Sequence, residues 1–301
     1  MADLRVLVET ARAGSLTGAA RALGVTPAAA SAMLKRLESQ LGARLFERST
    51  RALRLTAQGQ TLLDYAGRAI ELLEEGESQL LSDGRALAGT VRVAAPSGLA
   101  RSLLVPWLDA FLAEHPGVRI AFSVSDRVQD VLRDAVDVAL RYGAPADSRQ
   151  VARLLCITHR VPCAAPAYLD RHAAPRTPQD LAAHNCLTFH IGGRRYTAWR
   201  FEQGGQWTEV RVDGDRDADD AAITHQWALG GAGVLYKAEL DLVQDLASGA
   251  LVRLLPQWRG EPYPLHAILP SNRFVPARVR ALVDFLAQRF AGLPQAAPPA
   301  G

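Results

Sequence analysis

The sequence predicts a mixed α/β protein of two unlike parts, a small helix-turn-helix module that leads into a long helix, and a larger two-lobed α/β domain. Three patterns carry that expectation. Gly24, Thr26 and Pro27 punctuate two short helical segments. Leu62, Ala66, Ala69, Leu73, Gly76 and Leu80 recur at alternating spacings of four and three. Strand-like and helix-like runs then alternate from Thr90 onward. At 301 residues the chain exceeds the usual size of one core, so two or three compact units are expected, and with 49% hydrophobic residues it can bury them.

Leu4, Leu7, Val8 and Ala11 share one face of the opening helix. Ser15 can cap the next helix, whose apolar residues include Leu16, Ala19, Ala20 and Leu23. Gly24 can take the left-handed conformation that closes a helix without steric cost. Thr26 then caps a third helix with Pro27 at its first position, where a missing N–H is harmless. Ala28, Ala29 and Ala30 keep the start of that helix slim enough for a major groove about 12 Å wide. Leu41 through Arg48 leads into Ser49 through Thr56, a two-stranded wing with basic residues near its tip, which completes a winged helix.

Charge is distributed to match. Residues 1–60 hold nine Arg and Lys against four Asp and Glu, a net +5, whereas residues 61–88 hold two against six, a net −4. The positive field is concentrated at the N-terminal end, as phosphate binding requires. The four-and-three apolar spacing from Leu62 to Leu80 is the seam of a coiled coil, which calls for a partner helix. Packing of that helix onto its own domain is the competing reading, and its acidic remaining face favours an exposed rod. Asp83-Gly84 and Ala88-Gly89 mark its exit.

Gly14 through Ala20, the turn at Gly24, Leu34-Lys35-Arg36-Leu37-Glu38, Leu41-Gly42, Leu45-Phe46-Glu47-Arg48, Leu55-Thr56 and Gly59 together resemble the LysR-type transcriptional regulators, a likeness that extends to about residue 290. The resemblance implies sequence-specific binding of double-stranded operator DNA. It implies dimerisation through the linker helix, so that two recognition helices address two half-sites, and a tetramer formed through the effector domains. It also implies an effector domain of the periplasmic-binding-protein type. The DNA-contacting candidates are Ser15, Thr17, Thr26, Pro27, Ala28, Ser31, Lys35, Arg36, Arg48, Arg51 and Arg54. Ala32 and Met33 stand where family members often place a basic or amide side chain, so base reading rests more on Thr26, Pro27, Ala28 and Ser31. Any one wing arginine could instead pair with Glu47.

The expected division is a DNA-binding domain at 1–60, a linker helix at 61–89 and an effector-binding domain at 90–293, with lobe I at about 90–160 and 267–293 and lobe II at about 161–266. Val91–Ala95, Val118–Val124 and Val136–Tyr142 read as strands, and Leu103–Glu114 and Val128–Ala135 as helices, the rhythm of a parallel sheet. A hairpin is expected where Gly204-Gly205 joins Trp199-Arg200-Phe201 to Trp207. Leu265–Leu269 returns the chain to lobe I, Ala277–Phe290 closes it, and the residues after Leu293 read as a disordered tail.

Ligands of open parallel sheets sit outside the carboxyl ends of the strands, commonly between lobes. That rule selects Ser97, Gly98, Arg141 and Tyr142 from lobe I, and Thr188, His190, Asp219, Asp220, Tyr236 and Lys237 from lobe II. Arg141, Lys237 and the donors around Ser97 point to a small effector bearing a carboxylate or similar anionic group. Asp219 and Asp220 could receive an amine or hydroxyl of the same molecule. Ser97 could equally be only a helix cap, Arg141 only an ion-pair partner, and Lys237 only a surface charge.

Catalysis finds no support. The histidines lack metal-ligand spacing on any helix, the glycine runs Gly192-Gly193 and Gly230–Gly233 are not followed by the Lys-Ser or Lys-Thr of a phosphate loop, and no nucleophile elbow is present. The acids from Asp213 to Asp220 alternate with Arg211 and Arg216 and read as a solvated edge rather than a cation site. Cys156, Cys163 and Cys186 are odd in number, lack C-x-x-C spacing and are expected to be reduced, with Cys156 and Cys163 buried. The sequence thus predicts a cytoplasmic, homo-oligomeric regulator that is not an enzyme, needs no cofactor or metal and does not enter a membrane. Its expected partners are operator DNA, a small-molecule effector, a second copy of itself and, as a further candidate, RNA polymerase. A DNA-binding protein with a vestigial cleft, regulated by abundance alone, is the strongest alternative.

Overall fold

Capping sets the first unit. In the computed structural model, which describes residues 2–48, 53–81, 87–126, 136–143, 151–191, 193–269 and 275–293, α1 spans Ala2–Ala13, α2 Leu16–Leu23 and α3 Pro27–Leu41. Ser15 Oγ accepts the Gly18 amide at 3.1 Å and Thr26 Oγ1 the Ala29 amide at 3.2 Å, each satisfying a donor that a helix start leaves over. Gly24 sits at φ 65° and its amide closes α2, as the sequence predicts. β1, Phe46–Arg48, pairs antiparallel with β2, Leu53–Leu55, and α4 follows over Ala57–Leu81. Val6, Leu7, Ala20, Ala30, Leu34, Leu37, Leu45, Phe46 and Ala66 form the core. Leu4, Val8 and Ala11 pack on it only partly buried, and the buried Val6 was missed from the apolar face. Ala30 is small because it faces that core, so only Ala28 and Ala29 of the alanine run stay clear of it.

The chain divides into two compact units, residues 1–89 and 90–301. Strands of the second are β3 Gly89–Ala95, β4 Val118–Val124, β5 Val138–Tyr142, β6 Val151–Ala164, β7 Cys186–Ile191 and β8 Arg194–Arg195. They continue as β9 Ala198–Gln203, β10 Gln206–Arg211, β11 Asp217–Ala218, β12 Val234–Ala238, β13 Val252–Arg253, β14 Arg259–Gly260 and β15 Pro262–Leu269. Its helices are α5 Ser97–Leu99, continued by a π-helical turn Ala100–Leu104 into α6 Val105–Glu114, then α7 Pro166–Leu169, α8 Ala221–Leu229, α9 Val243–Ser248 and α10 Ala277–Ala291. The expected helix over Val128–Ala135 lies outside the described residues, as do Asp83-Gly84 and the segment after Leu293.

The expected parallel sheet is a mixed one. Within lobe I β3 runs parallel to β5, and within lobe II β7 runs parallel to β11 and β12. Two long antiparallel strands join them, β6 and β15, paired from Pro262 with His159 to Leu269 with Val151. Beyond His159, β6 changes partner and pairs with β12, from Arg160 with Ala238 to Cys163 with Leu235. One strand thus belongs to both lobes, which a purely local reading of strand periodicity does not reveal. The Gly204-Gly205 hairpin is present, both glycines at positive φ, and it packs Trp199 and Phe201 against Tyr236 in the core of lobe II. Among the described residues no helix is long and apolar enough to cross a membrane, and no group of three or more His, Cys, Asp or Glu is placed to hold a metal.

Candidate effector cleft and nucleic-acid face

In the first unit the caps do more than end helices: they leave a face open. Thr26, Pro27, Ala28, Ala32 and Lys35 are exposed along α3, with Ser31 half-buried beside them, while Ala30, Leu34 and Leu37 point inward. Ser15 and Thr17 are exposed at the start of α2. Arg54 is exposed on β2; Arg48 ends β1, and Arg51 lies outside the described residues. Arg36 is exposed as well, and it has a partner inside the unit. Its guanidinium is bidentate to Asp3 on α1, with Nε donating to Oδ2 at 2.7 Å and Nη2 to Oδ1, and this holds the Asp3 carboxyl below its usual range. Glu38 was overlooked: its Oε1 accepts the amides of Leu45 and Phe46, tying the exposed helix to the first wing strand.

Among the described seam positions the first ones pack inside their own unit. Ala66 is buried and Leu62 half-buried in the core, whereas Ala69, Leu73 and Gly76 are exposed.

In the second unit the lobes enclose a cleft of about 800 Å³, its open mouth included. Arg141 and Tyr142 line it from lobe I, His190 and Lys237 from lobe II. Sequence reasoning missed Asp126, Arg160, Asp241 and Tyr263, which line it too. Arg160 is the least conventional of these. Its side chain is 1% exposed, its guanidinium lies 3.9 Å from the Tyr263 ring centroid, 4.5 Å from Tyr196 and 5.5 Å from Phe189, and Nε stands 3.0 Å from Glu261 Oε1 without hydrogen-bond alignment. A planar cation among aromatic faces is held rigidly in low dielectric, where it discriminates strongly for an anion.

Several expected site residues have other work. Lys237 is no rim charge: it is 2% exposed, Nζ donates to Ala221 O at 3.1 Å and stands 3.5 Å from Asp241 Oδ2. Asp241 Oδ1 in turn accepts the Tyr142 hydroxyl at 2.7 Å. Burial and that carboxylate push the Tyr142 phenol well above its ordinary value, so it remains a donor. Gly98 is where it is because of this pair, since a Cβ there would stand 2.3 Å from Asp241 Oδ2 and 2.7 Å from Lys237 Nζ. Tyr236 is turned away from the cleft into the aromatic core, donating to Arg200 O at 2.6 Å; neighbouring residues of a strand face opposite sides, so Lys237 and Tyr236 cannot both line it. Thr188 is buried and accepts from Arg195. His190 Nε2 stands 2.7 Å from Asp217 Oδ2. Asp219 is exposed and outside the lining, and Asp220 caps α8 by accepting the Ala222 amide at 2.7 Å.

The lobes are stitched by polar bonds. Ser102 Oγ donates to Leu240 O at 2.9 Å, and Tyr142 to Asp241 as above. Ser97 is buried beneath the cleft: its hydroxyl lies 2.5 Å from Asp126 Oδ2 and 3.1 Å from Asp220 Oδ1. The thiols are built as packing groups. Burial pushes Cys156 up to about 11 and Cys163 and Cys186 up to about 12, although Cys156 is half-buried rather than buried as expected, and Cys186 is buried.

An open-faced helix-turn-helix joined in one chain to a two-lobed cleft domain is the make-up of a DNA-binding regulator with a ligand domain. The chain belongs to the LysR family of transcriptional regulators: residues 1–60 match the bacterial regulatory helix-turn-helix protein of the lysR family, and residues 84–291 match the LysR substrate binding domain. It is 30% identical over 289 residues to the HTH-type transcriptional regulator DmlR of Escherichia coli K12, covering 96% of this chain and 94% of that one. It is 32% identical over 293 residues to the HTH-type transcriptional repressor PA14_22550 of Pseudomonas aeruginosa, covering 97% and 92%. Among solved structures, CrgA, a LysR-type regulator of Neisseria meningitidis, aligns over 97% of this chain and 99% of that one, with a TM-score of 0.62 at 28% identity. Members of this family are transcription regulators rather than enzymes; they bind operator DNA and small-molecule effectors and form oligomers.

Proposed function

We propose that the chain binds a partly symmetric operator as a homodimer and responds to a small effector bearing a carboxylate, held between the two lobes. The buried Arg160 guanidinium on the cleft wall is the observation that carries the effector class: Glu261 balances its charge as Asp241 balances that of Lys237, but its planar fork has five donors, more than one carboxylate takes. Arg141 supplies a second cation at the carboxyl end of β5, and Tyr142 and His190 supply groups for a hydroxyl or amine of the same molecule. Lys237 supports this reading only indirectly, since Asp241 balances its charge. On the DNA side Thr26, Pro27, Ala28, Ser31 and Lys35 would meet base edges and phosphates, and Arg48, Arg51 and Arg54 the flanking backbone. Arg36 would position α3 against α1 rather than read DNA. The exposed Ala69, Leu73 and Gly76 support pairing of linker helices, and the effector domains would extend the dimer to a tetramer. Such a regulator works in the cytoplasm, beside the DNA, with RNA polymerase a candidate partner wherever it activates.

A thermal-shift screen of the full chain against small carboxylates and their amides tests the effector class. Carboxylates that stabilise while their amides do not, and that alter operator footprints, are the expected outcome; stabilisation by neutral compounds alone would overturn it. Leu73→Glu tests the pairing, because two linked half-sites gain an effective-concentration advantage. Dimer and operator affinity should fall together, and a fully dimeric variant in sedimentation would remove the linker from the interface.

A further inference from the structure

Asp126, two residues beyond β4, takes backbone donors from both lobes. Its Oδ1 accepts the Ser97 amide of lobe I at 2.8 Å, its Oδ2 accepts the Ala221 amide of lobe II at 2.7 Å, and the Ser97 hydroxyl lies 2.5 Å from Oδ2. One carboxylate therefore spans both lobes and takes three donors. Ser97 has a single hydroxyl proton and faces a second acid, Asp220 Oδ1 at 3.1 Å, so it can serve only one of the two at a time. The bridge brings two carboxylates to one hydroxyl, a cost that the amide donors must offset. Asp126 also lines the cleft, so a ligand entering it meets this side chain.

We infer that Asp126 is a tethered stand-in for an effector carboxylate, an internal latch that holds the lobes together and that an effector displaces. The inference rests on the reading of the cleft as an effector site and adds its regulation. Three donors that satisfy a tethered carboxylate are equally suited to a diffusing one, so the two compete. A tethered competitor acts at an effective concentration in the millimolar range, and apparent effector affinity falls by the fraction of time the latch is engaged. The latch thus sets the threshold of the response: a weak anion cannot open it, and an anion that also engages Arg160 can.

Asp126→Ala in the full chain, with acetate as the probe, tests the latch without any identified effector. Deleting the carboxylate should speed amide exchange in the segments that contain Ser97 and Ala221 together, by about tenfold or more. Tens of millimolar acetate should then restore protection in both, where the same concentration of chloride does not, and the wild-type chain should not respond. Asp126→Asn, which retains the shape and one acceptor oxygen, should lose part of the protection and show no response to acetate; it also serves if the alanine variant fails to fold. Unchanged exchange in both variants would overturn the latch. So would exchange that rises in one lobe only, or that acetate leaves unaltered in Asp126→Ala. An effector that binds wild type and Asp126→Ala equally would overturn displacement specifically. Absence of any carboxylate effector from a screen would instead count against the cleft reading, on which acetate rescue does not depend.

Discussion

The two units build their functional surfaces by opposite means. In the first, the caps that shape the exposed face lie within a few residues of what they shape, with the Arg36–Asp3 pair a long-range exception: Ser15 caps the helix that starts at Leu16, Gly24 closes it, and Thr26 caps the next. In the second, Asp126 reaches Ser97 and Ala221, Tyr142 reaches Asp241, and Arg160 reaches Glu261, partners far apart in the chain. A surface built locally tolerates the loss of one group, because its helices still pack through Leu7, Ala20 and Leu34. A cleft built from paired buried charges does not, since removing either partner leaves the other uncompensated.

That contrast predicts its own largest effect. Lys237→Met should destabilise the second unit by about 3–5 kcal/mol, because Asp241 then keeps a buried charge without its lysine partner. A lysine that is only a surface charge would leave the melting temperature almost unchanged; differential scanning calorimetry separates the two, and a melt within a degree or so of wild type would return Lys237 to the surface. Adding Asp241→Asn should recover much of the loss. Thr26→Ala in the first unit should cost about 1 kcal/mol, the usual value of a lost cap, read by denaturant unfolding of that unit. Equal losses from the two substitutions would break the comparison.

Arg54→Ala should weaken all operator sequences alike and lower the salt slope of binding by about one, as loss of one phosphate contact does, whereas Arg36→Ala should leave the slope unaltered if Asp3 is its partner. Fluorescence anisotropy across a salt series reads both. A pH dependence is also expected, absent at neutral pH and growing in acid. Burial, with Arg259 and Arg253 nearby, holds His159 down from 6.5 to about 4. The unfolded chain therefore takes up a proton that the folded chain refuses, and this contribution is intact above pH 6.5 and lost as pH falls from there to about 4. Urea midpoints of His159→Gln should fall less than those of wild type over that window, and parallel curves would show that His159 titrates normally.

The same contrast decides what was legible in advance. Caps, turns and the hairpin at Gly204-Gly205 announce themselves because residue type and neighbouring backbone conformation are linked directly. The strand-end rule found Arg141, Tyr142 and His190, and the same rule applied to the end of β4 would have found Asp126. It misplaced Tyr236, which shares a strand end with Lys237 but faces the other side. Arg160 carried no signal at all. It matters because β6 changes partner beside it and gathers Phe189, Tyr196 and Tyr263 around it, a convergence set by tertiary pairing rather than by spacing. Asp241 was within reach, four residues beyond Lys237, had the lysine been read as buried.

The most direct test is the structure of the full chain with a carboxylate found in the screen, supported by its affinity for Arg160→Lys. The account predicts a carboxylate oxygen within hydrogen-bond distance of the Arg160 guanidinium, and about tenfold or greater weakening when the planar fork is replaced by an ammonium. A carboxylate bound away from Arg160, with wild-type affinity in Arg160→Lys, would contradict it.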